Sequence, residues 1–368
     1  MKFFKTLKGK KLKLPLFFPD ATRAVVRSLD SGDIENTQTK GILVNTYHLY
    51  RDLGEKNIGR FDGISQIMDW KGAIISDSGG FQVMSIVKSK DGNGKVTDEG
   101  VEFFPTRKKK AIFNPEKSIE IQLLMKTDMI VALDDFTQPT DDYEAAKETV
   151  DRTLYWAKRS KKIFDKKTKG INSYDKPYLV GVIQGGKHQK LRKLCAEKLA
   201  ELGYKSFGYG GWPLRQTQGK PDEWKFDYES AKTISESIKK YEILWGLGIG
   251  KPQEIVGCHK LGFNVFDCVL PTRDARHGRL YVYNADSIDK IDVTKKDFYS
   301  FYTASKVINL KDKSCVSKAC DCLLCRRYTK AYLAHLFKIN DTSAYRLATI
   351  HNLRFYSILM EKLKERSG

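Results

Sequence analysis

No apolar run in this chain approaches the length of a membrane span, so no transmembrane helix and no membrane partner are expected. The opening stretch, MKFFKTLKGKKLKLPLFFPD, has basic residues but neither an unbroken apolar segment nor a small-residue cleavage site, so no secretory leader is expected. No internal repeat of roughly 20–50 residues recurs, which sets aside solenoids and propellers. Acids are short relative to bases: 45 Asp and Glu stand against 65 Lys and Arg in 368 residues, a formal net charge of +20. A surplus of that size points to a polyanionic partner such as nucleic acid, against the plainer alternative of a lysine-rich surface. Cysteine is sparse and unevenly placed. There are seven, an odd number, and four of them (Cys315, Cys320, Cys322 and Cys325) fall within eleven residues. That pattern argues against a disulfide framework and for a metal in a reducing, cytoplasmic compartment.

What is present is a core-forming chain, 41% hydrophobic, in which short β-branched runs alternate with longer helical patterns. The expected strands are 42–44, 73–75, 129–133, 178–183, 243–245 and 265–266. The expected helices are 115–125, 143–164, 189–202 and 228–240. Strand-then-helix alternation implies an α/β fold with a mostly parallel sheet, open or closed. Two polar stretches, Lys88 to Lys95 and Lys166 to Lys176, are expected to be solvated loops. Beyond about Asp297 the pattern changes to aromatic residues, the cysteine cluster and further helices. We divide the chain there, into residues 1–296 and a metal-binding subdomain, 297–368, packed on the first part.

Three expected strands run into acids: Asp77 after 73–76, Asp134 with Asp135 after 129–133, and Asp267 after 265–266. A single acid in such a place is most often a turn residue or a helix cap. In a barrel, however, the C-terminal strand ends meet at one mouth. Three acids there would share a pocket and push one another's proton affinities apart. Glycine-rich strand ends, Gln184-Gly185-Gly186, Gly208 to Gly211 and Gly246 to Gly250, would let a ligand approach the backbone. The last of these is not a dinucleotide fingerprint, because no acid follows at the required distance.

Cys320-x-Cys322-x2-Cys325 with His351 supplies three thiolates and an imidazole, the donor set of tetrahedral zinc. Cys315 lies outside this knot and stands as an alternative ligand. A site with four protein ligands is closed, so one structural Zn2+ per chain is expected.

These motifs together resemble the tRNA-guanine transglycosylases of the bacterial, queuine-pathway type. The resemblance runs through Asn45-Thr46-Tyr47-His48-Leu49, the string SDSGGFQVMS from Ser76 to Ser85, Pro115 to Ile119, Val182 to Gly186, the string FDCVLPTR from Phe266 to Arg273, Arg276-His277-Gly278, the cysteine knot and His351-Asn352-Leu353. It implies a (β/α)8 TIM barrel with a zinc subdomain. It also implies a pentosyltransferase that exchanges guanine at the tRNA anticodon wobble position for a 7-deazaguanine in queuosine modification. By the same resemblance Asp267 is the nucleophile and Asp77 the general acid/base. Asp134, Gln184 and Gly211 contact the base, Ser78 supports the pocket, and Phe81 and Leu247 form the walls around the flat ring. Lys251, Arg273 and Arg276 touch tRNA, and the enzyme is a homodimer.

The chain departs from the family pattern in three places. Phe136 stands where a Cys is usual. Gly210-Gly211-Trp212-Pro213-Leu214-Arg215 replaces a GGLAVGE-like segment and lacks its Glu. Pro19-Asp20-Ala21-Thr22 replaces a PVGT-like run. The second departure leaves the incoming base open among the aminomethyl precursor, queuine and a nitrile precursor. Two other functions are compatible with the family: a non-catalytic tRNA-binding partner subunit, which the three intact acids argue against, and a relative that inserts deazaguanine into DNA.

Overall fold

The computed structural model describes residues 2–88, 94–106, 109–172, 175–211, 214–215 and 225–366. Eight parallel strands form one sheet: β1 Leu16–Pro19, β2 Gly41–Val44, β3 Ala73–Ser76, β4 Met129–Val131, β5 Tyr178–Ile183, β6 Ser206–Tyr209, β7 Ile243–Gly246 and β8 Val265–Cys268. Each pairs with its neighbours in sequence, and β8 returns to β1, pairing Asp267 with Phe18 and Cys268 with Pro19. The remaining seam, between β1 and β2, is closed by an isolated parallel bridge of Asp20 with Leu43 and by the Ala21 N–H donating to the Leu43 carbonyl at 2.7 Å. The result is the barrel that the β/α alternation allowed.

The interior is filled by the inward set of the alternating strand residues, among them Phe18, Leu43, Ile75, Val131, Val180, Val182 and Trp245. Its lower end is plugged by an antiparallel hairpin, Phe3–Lys5 with Lys11–Lys13. Phe4, fully buried, packs on Phe18 and on Tyr178 with ring centroids 5.8 and 5.1 Å apart. Asp128 secures the plug by accepting from the backbone N–H of Leu7 and of Ile74, each at 2.7 Å.

The helices follow from ordinary sequence signals. Asn114 caps Pro115–Leu124, with Pro at its first turn, and Asp142 caps the 25-residue helix Tyr143–Lys167. The last helix, Thr342–Arg366, packs across the helix Leu270–Arg276 that follows β8 and across an antiparallel ribbon, Arg279–Tyr283 with Tyr299–Thr303. Asn352 fastens these parts: its amide donates to the carbonyls of Pro271 and Arg279, and its oxygen accepts from the Tyr281 N–H. No helix among the described residues is long and apolar enough to cross a membrane.

Several sequence expectations change in detail. The strand expected over 129–133 stops at Val131, and Ala132 to Asp134 turn toward the mouth. The expected loop 88–95 ends early, because Gly94–Thr97 is the first strand of a three-stranded antiparallel sheet with Gly100–Thr106 and Lys109–Phe113. Residues 89–93 lie outside the described residues, as do 173–174 in the second expected loop. That stretch also begins later than expected, since the helix before it runs to Lys167.

Candidate active site

Every barrel strand delivers residues to one mouth. A cavity of about 370 Å3 opens there, and its lining includes Asp20 beyond β1, Asn45 beyond β2, Asp77 beyond β3, Asp134 beyond β4 and Asp267 on β8. Among the described residues, no Lys, Arg or His lines it. Carboxylates in such a place need donors, and the structure supplies them from neighbouring strand ends.

Asp267 accepts through Oδ1 alone, from Trp245 Nε1 at 2.8 Å and from the Gly248 N–H at 2.9 Å. Gly248 reaches that position with a φ of +69°, a backbone conformation that favours glycine. The other oxygen, Oδ2, has no hydrogen bond among the described residues. Asp77 is held on both sides: Oδ1 accepts from the N–H groups of Thr46 and Gly79, and Oδ2 from Asn45 Nδ2 at 2.6 Å. Asn45 also caps the helix Thr46–Ile58, accepting from the His48 N–H at 2.8 Å, so one side chain starts a helix and orients an acid. Asp134 accepts from Gln184 Nε2 at 2.6 Å. The fully buried Gln184 is itself fixed by the Thr137 N–H, and a Cβ on Gly210 would lie 2.6 Å from its Nε2. Adjacent Asp135 turns the opposite way to pair with Arg152.

These three acids are exposed only in part, and that part faces the cavity. Burial pushes the carboxyl of Asp77 up to about 7 in spite of its three donors, and the charge of Asp267 adds to the shift. Burial likewise raises Asp267 to about 7, with Asp20 adding to it. Asp134 rises to about 7 for the same reason, with Asp135 adding and Gln184 opposing. Groups that gain and lose protons near neutrality suit acid and base work, and an unclaimed carboxylate oxygen suits nucleophilic attack.

Phe81, 49% exposed, meets Phe136 edge-on with ring centroids 5.2 Å apart, and both line the cavity with Leu247. These apolar surfaces offer a flat ring a place to lie.

A second cluster sits away from this mouth. The sulfurs of Cys320, Cys322 and Cys325 and a ring nitrogen of His351 all lie within 4.8 Å of one another. A tetrahedron with zinc–sulfur bonds of about 2.3 Å has edges of roughly 3.8 Å, so the spacing fits such an ion. His351 is oriented for it. Its Nε2 lies 2.8 Å from the Tyr281 carbonyl, which only accepts, so Nε2 carries the proton and Nδ1 turns its lone pair to Cys322 and Cys325. These four residues could hold a metal ion, and Cys315 stands outside the group.

Comparison with known proteins agrees with this geometry. A profile of the family described as Queuine tRNA-ribosyltransferase matches residues 4–366. The chain is 35% identical over 355 residues to the queuine tRNA-ribosyltransferase of Thermoanaerobacter sp. (strain X514), covering 96% of this chain and 86% of the relative. It is 34% identical over 356 residues to that of Actinobacillus succinogenes, with the same coverage. It is 33% identical over 362 residues to that of Staphylococcus aureus (strain bovine RF122 / ET3-1), covering 95% of this chain and 84% of the relative. The chain belongs to the queuine tRNA-ribosyltransferase family.

In this family member the acids Asp77, Asp134 and Asp267 share one cavity with Ser78, Phe81, Gly211 and Leu247, while Gln184 stands behind Asp134. Lys251, Arg273 and Arg276 are not in the lining. Lys251 pairs with Glu254, Arg273 lies 3.8 Å from Asp274, and Arg276 donates to the Thr272 carbonyl. Trp212 and Pro213 lie outside the described residues. Sequence reasoning assigned no role to Asn45, Trp245 or Asp20. Asn45 stood in a quoted motif and Trp245 in an expected strand. Asp20 follows β1, a strand concealed by the prolines at its border and end, Pro15 and Pro19.

Each raised carboxyl binds its proton more tightly in the folded chain than in the unfolded one, where it titrates near 3.8. The stabilisation from that proton is therefore full below about pH 4 and lost as pH rises through about 7. Asp267→Asn keeps an oxygen for Trp245 and Gly248 but removes the charge. In urea unfolding it should exceed the parent by about 1–3 kcal/mol at pH 8, after allowance for water in the cavity, and the gap should close toward pH 4. Equal stability at both pH values would contradict the assignment of a burial-raised carboxyl.

Proposed function

We propose that this chain exchanges guanine at the wobble position of a tRNA for a 7-deazaguanine base through an ester between Asp267 and the ribose. The observation that carries this is the pairing, in one cavity, of Asp267 with a free Oδ2 and Asp77 with a pKa of about 7. Membership of a family whose named relatives are queuine tRNA-ribosyltransferases supports it.

In the first half-reaction, a lone pair on Asp267 Oδ2 attacks C1′ as the bond from C1′ to guanine breaks. The bonding electrons leave with the base, and a proton from Asp77 neutralises it. In the second, Asp77 takes the proton from the ring nitrogen of the incoming base. That nitrogen attacks C1′, and the ester electrons return to Asp267. One glycosidic bond replaces another, so no cofactor is consumed. Ionised Asp134, oriented by Gln184, accepts two N–H bonds from the purine edge, which selects guanine-like bases. Ser78 and Gly211 complete the polar lining, and Phe81 and Leu247 contact the ring faces. Lys251, Arg273 and Arg276 lie outside the cavity, where phosphates of the anticodon stem-loop would run.

Cys320, Cys322, Cys325 and His351 hold a structural zinc ion in this proposal, with residues 297–368 as the subdomain around it. When bound, that ion supplies a cross-link between the cysteine turn and the last helix. The family resemblance also carries a homodimer and a cytoplasmic location to this chain.

Labelled guanine should enter an unmodified tRNA with guanine at the wobble position, and Asp267→Ala should lose both uptake and covalent capture of RNA. Capture by that variant would remove Asp267 as nucleophile. The pH profile of kcat/KM should be bell-shaped, with both limbs near pH 7. It falls on the acid side as Asp267 is protonated and on the alkaline side as Asp77 loses its proton. A profile flat from pH 5 to 9 would contradict this. Metal analysis should find about one zinc per chain, and Cys322→Ser should lower both zinc content and thermal stability.

A further inference from the structure

We infer that Asp20 accepts a hydrogen bond from the 2′-hydroxyl of the ribose whose base is exchanged, and so makes the site selective for RNA over DNA. The inference rests on the base-exchange function proposed above. Asp20 lies where β1 meets β2, immediately after the residue that pairs with Cys268, and it lines the same cavity as Asp267. Its charge is close enough to be felt at both Asp267 and Arg276.

The placement of the other polar groups leaves this role to Asp20. A sugar joined at C1′ to Asp267 Oδ2 puts its 2′-hydroxyl one carbon from the reacting centre, over β8 or a strand next to it. The neighbours of β8 are β7 and β1. From β7 and its loop the described lining takes Leu247 and Gly248, which offer no side-chain acceptor. From beyond β1 it takes Asp20 and Thr22. Thr22 Oγ1 donates to Asp20 Oδ1, fixing the carboxylate; the threonine oxygen is a neutral acceptor and so the weaker of the two. Asp20 Oδ2 has no hydrogen bond among the described residues. Of the more distant acids, Asp77 has both oxygens occupied by N–H donors and Asp134 is engaged by Gln184. An acceptor poised for a hydroxyl disfavours the analogue that lacks it, because one half-buried carboxylate oxygen then loses its partner. The 2′-hydroxyl is the group by which a protein tells RNA from DNA at one position.

The test compares two anticodon stem-loop RNAs that differ only in a 2′-deoxyribose at the wobble guanosine. Uptake of labelled guanine gives kcat/KM for the full chain and for Asp20→Val and Asp20→Asn. The parent should prefer the ribose form by about 10–100-fold, the range for a hydrogen bond to a charged group. Asp20→Val should cost the ribose form about that factor more than the deoxy form, so the preference vanishes. Asp20→Asn keeps one carbonyl oxygen, for the hydroxyl or for Thr22, and loses the charge, and should show an intermediate preference. If Asp20→Val does not fold, the Asn variant decides alone. The loss of charge beside Asp267 acts on both substrates alike and cancels in the ratio. A preference unchanged in either folded variant, or no preference in the parent, overturns the role of Asp20 and leaves base exchange standing. No uptake by the parent from either RNA overturns base exchange, and this role with it.

Discussion

Carboxyl groups gathered in a cavity that no described cation lines are tolerable only if hydrogen-bond donors hold them. The arrangement of this mouth follows from that constraint. Trp245 and Gly248 hold Asp267, Thr46, Gly79 and Asn45 hold Asp77, and Gln184 holds Asp134. Apart from Gly79, which lies in the same turn as Asp77, each donor comes from an adjacent strand end or the turn after it, so the closed parallel barrel brings donor and acceptor together. Cations that would neutralise the acids are kept elsewhere: Arg152 takes Asp135, and Arg192 is buried on the carbonyls of Gly186, Ile183 and Gly210. The acids therefore remain reactive near neutrality.

Much of this was legible in the sequence, for reasons that differ by residue. Strands such as Tyr178–Ile183 announced themselves as continuous apolar runs, as strands buried on both faces do. Asp77, Asp134 and Asp267 were found because an acid directly after such a run is visible. The cluster that could hold a metal ion was visible because three cysteines share one turn, although His351 arrives from a distant helix. Asp20 was passed over because proline obscures the strand before it. Trp245 was read only as part of a strand; that its indole N–H reaches Asp267 depends on the register between β7 and β8. Pairing register of this kind is set in three dimensions and leaves no local mark.

The last helix shows how a distant site can matter to the mouth without touching it. His351 and Asn352 are successive residues. One completes the cysteine–histidine cluster and the other binds the carbonyls of Pro271 and Arg279, four residues past Asp267 and beyond. Tyr281, whose carbonyl orients His351, also donates its hydroxyl to Asp274 on the helix after β8. The cysteine turn and the segment carrying Asp267 thus share two rigid neighbours.

The plug beneath the barrel has a consequence for traffic. Phe4 and its hairpin close the lower end, so among the described residues the doorway of the cavity lies at the strand ends. In base exchange the departing and arriving bases would have to use that doorway in turn, past a nucleic acid still attached to the protein. Two bases would then not occupy the pocket together. The kinetics would be of the double-displacement kind, in which free guanine, as the first product, competes with the incoming base for the same vacancy.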